Sequence, residues 1–256
     1  MIVRAQFACS IFACLAAAAC VSAQTWSALS ANQSIVAQMA RAQAENRSHF
    51  RPYTVTREYK LFKGDNRDEA QTLVIAEITA VRVDSKQYAI DNPGESGFGE
   101  KIVRKMLDSE VAFAKDSGST AITRDNYDFL FVREDEFSGK RCYVLELLPR
   151  QRSKNLLRGT IWVDANTYLP YRVEGEPAKS PSWWLRDVRI VLLYGPVGTM
   201  WLQTSSEAEA NVRILGLSTM VSRDVKYQIG DLIPAALSAQ TIASKAPRLA
   251  TLHYPY

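Results

Sequence analysis

The chain of 256 residues is 47% hydrophobic and 23% charged, a composition that supports a buried core and excludes disorder as its main state. Its 31 basic and 27 acidic residues leave a formal charge of only +4 and fall in mixed clusters such as Arg133-Glu134-Asp135-Glu136, so a nucleic-acid partner has no basic face to bind. Two histidines, His49 and His253, leave little material for a histidine metal centre or for acid–base chemistry near neutral pH.

Arg4 precedes an apolar run, residues 7–21, that is short for a bilayer span, and Val21-Ser22-Ala23 puts small or short side chains where a signal peptidase cuts. Residues 1–23 therefore read as a signal peptide, and export into the periplasm follows. Ala17-Ala18-Ala19-Cys20 only faintly follows a lipoprotein box, which usually opens on Leu, so a soluble protein is expected rather than one lipidated at Cys20. Once Cys9, Cys14 and Cys20 leave with the signal, Cys142 has no partner for an internal disulfide and reads as a small core hydrophobe.

Between residues 26 and 47, Leu29, Ile35, Val36, Met39 and Ala42 recur at helical spacing, which predicts an amphipathic helix. From Pro52 the period becomes two, with Tyr53, Val55, Tyr59 and Leu61 on one side of a strand. A turn at Gly64-Asp65-Asn66 leads to a long strand over 71–83, and Asp84-Ser85 turns again. Phe98, Ile102, Val103, Met106, Leu107 and Val111 then mark a second helix. Gly94, Gly97 and Gly99 before it lack a phosphate-loop Lys-Ser/Thr and read as an ordinary loop.

Beyond the second helix the chain is strand and turn: 127–133, 142–148, 159–164, 169–174, 183–194, 200–215 with a break near Ser205, and 217–227. Glu134-Asp135-Glu136 is expected in a solvated turn at a strand end. Connections of a few residues make an antiparallel meander of about ten strands, which must curl. The expected fold is mainly β: a curved antiparallel sheet forming an incomplete half-barrel lidded by α-helices, over residues 24–230, with 231–256 as a loosely attached extension.

The order of elements, with YTVTREYKLFKGD (53–65), GKRCYVLELLPR (139–150), GTIWVDANTYLPYRVEG (159–175) and AKSPSWW (178–184), resembles the bacterial LolA-like superfamily of outer-membrane lipoprotein-sorting proteins over roughly residues 26–227. That resemblance implies a helix-lidded half-barrel and a periplasmic carrier or receptor for an acyl chain of lipid or lipoprotein, serving a partner protein of the inner or outer membrane. It does not assign the family's gating arginine to Arg41, Arg47 or Arg51. An acyl-chain carrier needs a dry apolar wall, each buried methylene contributing about 0.8 kcal/mol. Strand parity puts Trp184, Val188 and Ile190 on that wall, with Tyr59 and Ile78, and helical spacing puts Phe98, Ile102 and Met106 on the lid. No catalytic, Rossmann or C-x-x-C pattern is found, so neither an enzyme nor a cofactor is expected. The alternative is an envelope-stress sensor or protein-interaction module of the RseB type.

Overall fold

The computed structural model describes residues 32–64, 67–91, 97–213 and 216–230. The signal-peptide reading of 1–23, the question of Cys20 and the extension 231–256 lie outside them. A helix over 32–48 (α1) is followed by strands β1 (Tyr53–Lys63), β2 (Thr72–Arg82) and β3 (Ser85–Asp91). Helices α2 (Phe98–Lys115) and α3 (Ser117–Thr120) come next. The remaining strands are β4 (Tyr127–Phe137), β5 (Lys140–Pro149), β6 (Leu157–Asp164), β7 (Pro170–Pro177), β8 (Leu185–Val197), β9 (Met200–Val212) and β10 (Gly216–Ile229).

All ten strands form one antiparallel sheet in the order β3-β2-β1-β10-β9-β8-β7-β6-β5-β4. Two hairpin meanders, β1 to β3 and β4 to β10, are sewn together where β1 pairs β10, from Tyr53 opposite Ile229 to Lys63 opposite Ser218. Because β3 and β4 are the two edges, the sheet is not closed into a barrel, and the segment carrying α2 and α3 connects one edge to the other.

Both long helices lie on one face, called the inner face below. Ile35, Val36 and Met39 of α1 are buried against Tyr127, Phe129, Leu145, Leu147, Ile161, Val163 and Val173 of β4 to β7. Val103 and Leu107 of α2 are buried against Tyr53, Val55, Tyr59, Val74, Ala76 and Ile78 of β1 and β2. The inward set on each strand follows the period of two, which is why the helices find a continuous apolar surface. Cys142 is fully buried in β5, and burial pushes its thiol above the ordinary value, so it behaves as a packing residue.

Three local expectations are corrected. Residues 85–91 form an additional edge strand, its half-apolar alternation too short to stand out from the turn before it. Glu134-Asp135-Glu136 lies inside β4, where Asp135 accepts a hydrogen bond from Arg133 at 2.8 Å, because an edge strand can carry charge along its open side. Strand β8 begins at Leu185, so Trp183 and Trp184 precede it and strand parity does not govern them.

Gly159 of β6 faces Gly175 of β7 at close approach: a Cβ on Gly159 would lie 2.0 Å from the Glu174 carbonyl oxygen, and one on Gly175 would lie 2.2 Å from that of Arg158. Gly175→Ala is therefore expected to destabilise the protein by about 1–3 kcal/mol in urea unfolding. Gly195→Ala meets nothing nearer than Thr204 Cγ2 at 3.9 Å, and should stay within about 0.5 kcal/mol of wild type.

Candidate functional site

The register places a row of inner-face residues across the middle of the sheet: Gly175, Ile190, Ala208, Met220 and Leu61 stand side by side on β7, β8, β9, β10 and β1. All five are half-buried, whereas the adjoining ends of the inner face are closed by α1 and α2. The next row, Val173, Leu192, Ser206, Ser222 and Tyr59, carries small hydroxyls at its centre, where Ser206 and Ser222 share a hydrogen bond of 2.7 Å. Gly175, Ala208, Ser206 and Ser222 thus put small residues between the two helix-covered apolar clusters.

Beneath α2 the inner face is not uniformly apolar. Arg57 occupies the same parity on β1 as Val55 and Tyr59 and is only 8% exposed. Its Nη1 donates to Glu110 of α2 at 2.8 Å, and its Nε and Nη2 donate to the Asp224 carboxylate on β10, whose side chain is 1% exposed. Lys86 of β3 donates to the other Glu110 oxygen at 2.7 Å, and the Tyr227 hydroxyl donates to Asp224. One α2 carboxylate thus ties the helix to β1 and β3 at once.

Burial opposes the charge on Arg57, but Glu110 and Asp224 override it, and the guanidinium pKa lies well above its ordinary value. Burial also opposes the Glu110 charge, yet Arg57 and then Lys86 hold that carboxyl below the usual carboxylate range. Lys86 is raised in turn, Glu110 overcoming the effect of burial. The neighbouring Tyr59 phenol is pushed up to about 12 by burial, so it stays neutral. Two cations and two carboxylates give a cluster without net charge.

Of the residues expected at the site, Tyr59 and Ile78 belong to the core under α2, and Met106 packs against it from the helix. Ile102 is half-buried on α2, and the Phe98 side chain lies outside the described residues. Ile190 sits in the half-buried row, opposite Gly175 and Ala208. Val188 is half-buried beside an irregular pairing at Asp187, which has φ 51°, and Trp184 is half-buried just ahead of β8. Trp183 is 76% exposed, with the Arg213 guanidinium 5.4 Å above its ring.

Arg57, Lys86, Glu110 and Asp224 were not among the expected residues. Arg57 alone carried a signal, a charge interrupting the apolar alternation Tyr53, Val55, Tyr59; its two carboxylate partners lie 53 and 167 residues away. Gly99, expected in a loop, is the second residue of α2 and has a packing role, since a Cβ there would lie 2.5 to 2.8 Å from Thr72 side-chain atoms of β2. Among the described residues, two concavities of about 350 and 280 Å³ open on the opposite face, lined by Glu58, Lys60 and Arg223, or by Arg67, Arg189 and Glu207. Charge of that density does not suit an acyl chain. Among the described residues no group of His, Cys, Asp and Glu could hold a metal, and no helix is long and apolar enough to cross a membrane.

No family model and no curated protein matches the sequence. Among solved structures, the chain is similar to a LolA superfamily protein from Nitrosomonas europaea, at 15% identity and a TM-score of 0.47, over 80% of this chain and 96% of that one. A putative outer membrane lipoprotein-sorting protein domain from Vibrio parahaemolyticus matches at 14% identity and a TM-score of 0.44, over 80% and 96%. A DUF1329 family protein from Desulfovibrio piger matches at 12% and 0.43, over 80% and 95%.

Removing one member of the buried cluster leaves another charge uncompensated, so Asp224→Ala is expected to cost about 3–5 kcal/mol in chemical unfolding. The depressed Glu110 carboxyl stabilises the fold fully above its ordinary value of 4.5 and loses that contribution as pH falls through its folded value. The raised Lys86 contribution is full below its ordinary value of 10.5 and is lost as pH rises through its folded value. Stability curves of wild type and Glu110→Gln should therefore differ most between these limits and converge toward acid.

Proposed function

We propose that the protein is an exported carrier that holds a single apolar chain on the inner face of its open sheet, with α2 as a displaceable cover. The observation that carries this reading is the way α2 is held. Its Val103, Met106 and Leu107 occupy the apolar surface over β1 to β3, while its polar ties to the sheet run through Glu110, held by Arg57 and Lys86, and Asp108, which accepts from the Tyr88 hydroxyl at 2.6 Å. An apolar ligand replacing those three side chains finds the same wall, and each methylene it buries contributes about 0.8 kcal/mol. The half-buried row of Ile190, Ala208, Met220 and Leu61 continues the wall away from the helix.

On this reading residues 1–23 are the export signal, 24–230 the binding domain, and the site of action is the periplasm. The wall is formed by Tyr59, Ile78, Val188 and Ile190 with Trp184 at its rim, and the cover by Phe98, Ile102 and Met106. The ligand is a lipid or lipoprotein acyl chain, taken from or delivered to a membrane partner, and binding requires no cofactor and no catalysis.

A second reading, a protein-interaction module, is favoured by one observation. Edge strand β4 exposes Leu130 and Val132 to 48% and 52% beside an irregularity at Phe131/Arg133, an arrangement to which an extended peptide can add as a strand.

Locking α2 separates the two. An ideal Cβ at Gly99 lies 2.8 Å from Thr72 Cβ, and a shift of about 0.7 Å brings the pair to the lower limit of about 3.5 Å for a disulfide. In the doubly substituted Thr72→Cys, Gly99→Cys protein, oxidation should abolish uptake of the uncharged dye N-phenylnaphthylamine and reduction should restore it. Uptake that is indifferent to the lock contradicts α2 as the cover.

A further inference from the structure

We infer that the ligand is an anionic amphiphile, whose head group takes the place of the Glu110 carboxylate on Arg57 and Lys86; this rests on the carrier reading above. With α2 in place, Arg57 and Lys86 are matched by Glu110 and Asp224. Asp224 belongs to β10 and stays with the sheet, paired through Arg57 and Tyr227. Glu110 belongs to α2 and leaves with it. Displacement of the cover leaves Arg57 with Asp224 alone and Lys86, whose side chain is 25% exposed on edge strand β3, without its carboxylate, so one positive charge is in excess beside the apolar surface.

A neutral lipid leaves that charge unmatched, and a cationic one worsens it. A single carboxylate or phosphodiester restores the balance and reproduces the two contacts that Glu110 makes, one from the Arg57 guanidinium and one from the Lys86 ammonium. The planar guanidinium is suited to an oxyanion, and its orientation is already fixed by the pair it makes with Asp224. Around the two cations, Tyr53, Val55, Tyr59 and Ile78 of the sheet supply apolar surface for the chain attached to the head group. The cover and the ligand thus compete for the same charges as well as for the same apolar wall, so entry of the head group is itself the event that releases α2.

Competition against bound N-phenylnaphthylamine tests this on the whole protein, using palmitate, hexadecanol of the same chain length, and lysophosphatidylglycerol. A charge-assisted contact contributes at least about a factor of ten, so palmitate should displace the dye at about one tenth of the hexadecanol concentration or less. Lysophosphatidylglycerol acting like palmitate places the preference on any oxyanion; palmitate alone acting narrows it to carboxylates. Glu110→Gln removes the internal competitor and should widen the palmitate-to-hexadecanol ratio, whereas Lys86→Met should narrow it, with thermal melts confirming that each variant is folded. Equal displacement by palmitate and hexadecanol, or a ratio that narrows in Glu110→Gln, overturns the head-group site while leaving the carrier reading intact. A wild-type protein that takes up neither dye nor amphiphile overturns both.

Discussion

A guanidinium held 8% exposed on the inner face of a sheet must have carboxylates of its own, and Arg57 has two. The fold around it follows from that demand. Asp224 is brought to Arg57 because β10 pairs with β1, the contact that joins the two meanders, and the irregular register at Thr56/Arg57 sets the two residues opposite each other. Glu110 is brought from above because α2 lies across β2 and β3. A buried ion pair contributes little net stability over an apolar equivalent, but leaving one partner alone costs several kcal/mol, so the cluster fixes where α2 sits more than how strongly it is held.

The two helices differ in kind. Helix α1 buries Ile35, Val36 and Met39 over the broad apolar end of the sheet and is fixed at both extremities by polar contacts, from Asn32 to the Phe129 carbonyl and from Asn46 to both backbone groups of Trp201. Helix α2 buries Val103 and Leu107 on the sheet, and its polar ties run from the Glu110 carboxylate, which another oxyanion can imitate, to Arg57 and Lys86 and from Asp108 to the Tyr88 hydroxyl. In the proposed carrier, α1 is part of the scaffold and α2 is the part that exchanges with ligand. The half-buried row of Ile190, Ala208 and Met220 lies between them, backed on the outer face by the polar surface of Glu207 and Arg67.

Much of the architecture was legible because period-two alternation survives in a sheet covered on one face: both helices, the long strands and the open, antiparallel character follow from residue spacing and short connections. Edge strand β3 escaped because seven residues of mixed polarity carry little periodic signal. Trp184 was assigned by parity to a strand that begins one residue later, and the irregularity at Asp187 breaks the parity between them. The charged cluster was not legible at all beyond Arg57, since its members come from β1, β3, α2 and β10 and meet only after the sheet is assembled. An isolated Glu on the flank of an amphipathic helix reads as a solvated residue until the strand it faces is known.

Hydrogen exchange by mass spectrometry tests the central claim, that α2 is a separable cover on a fixed sheet. Local openings involve elements with few apolar contacts and strand-core amides open only with the whole fold. The account predicts that amides of residues 100–115 exchange well before those of β5 and β6, and that an added anionic amphiphile accelerates exchange in α2 while leaving β5 and β6 unchanged. Exchange of α2 in step with β5 and β6, unaltered by amphiphile, would contradict it.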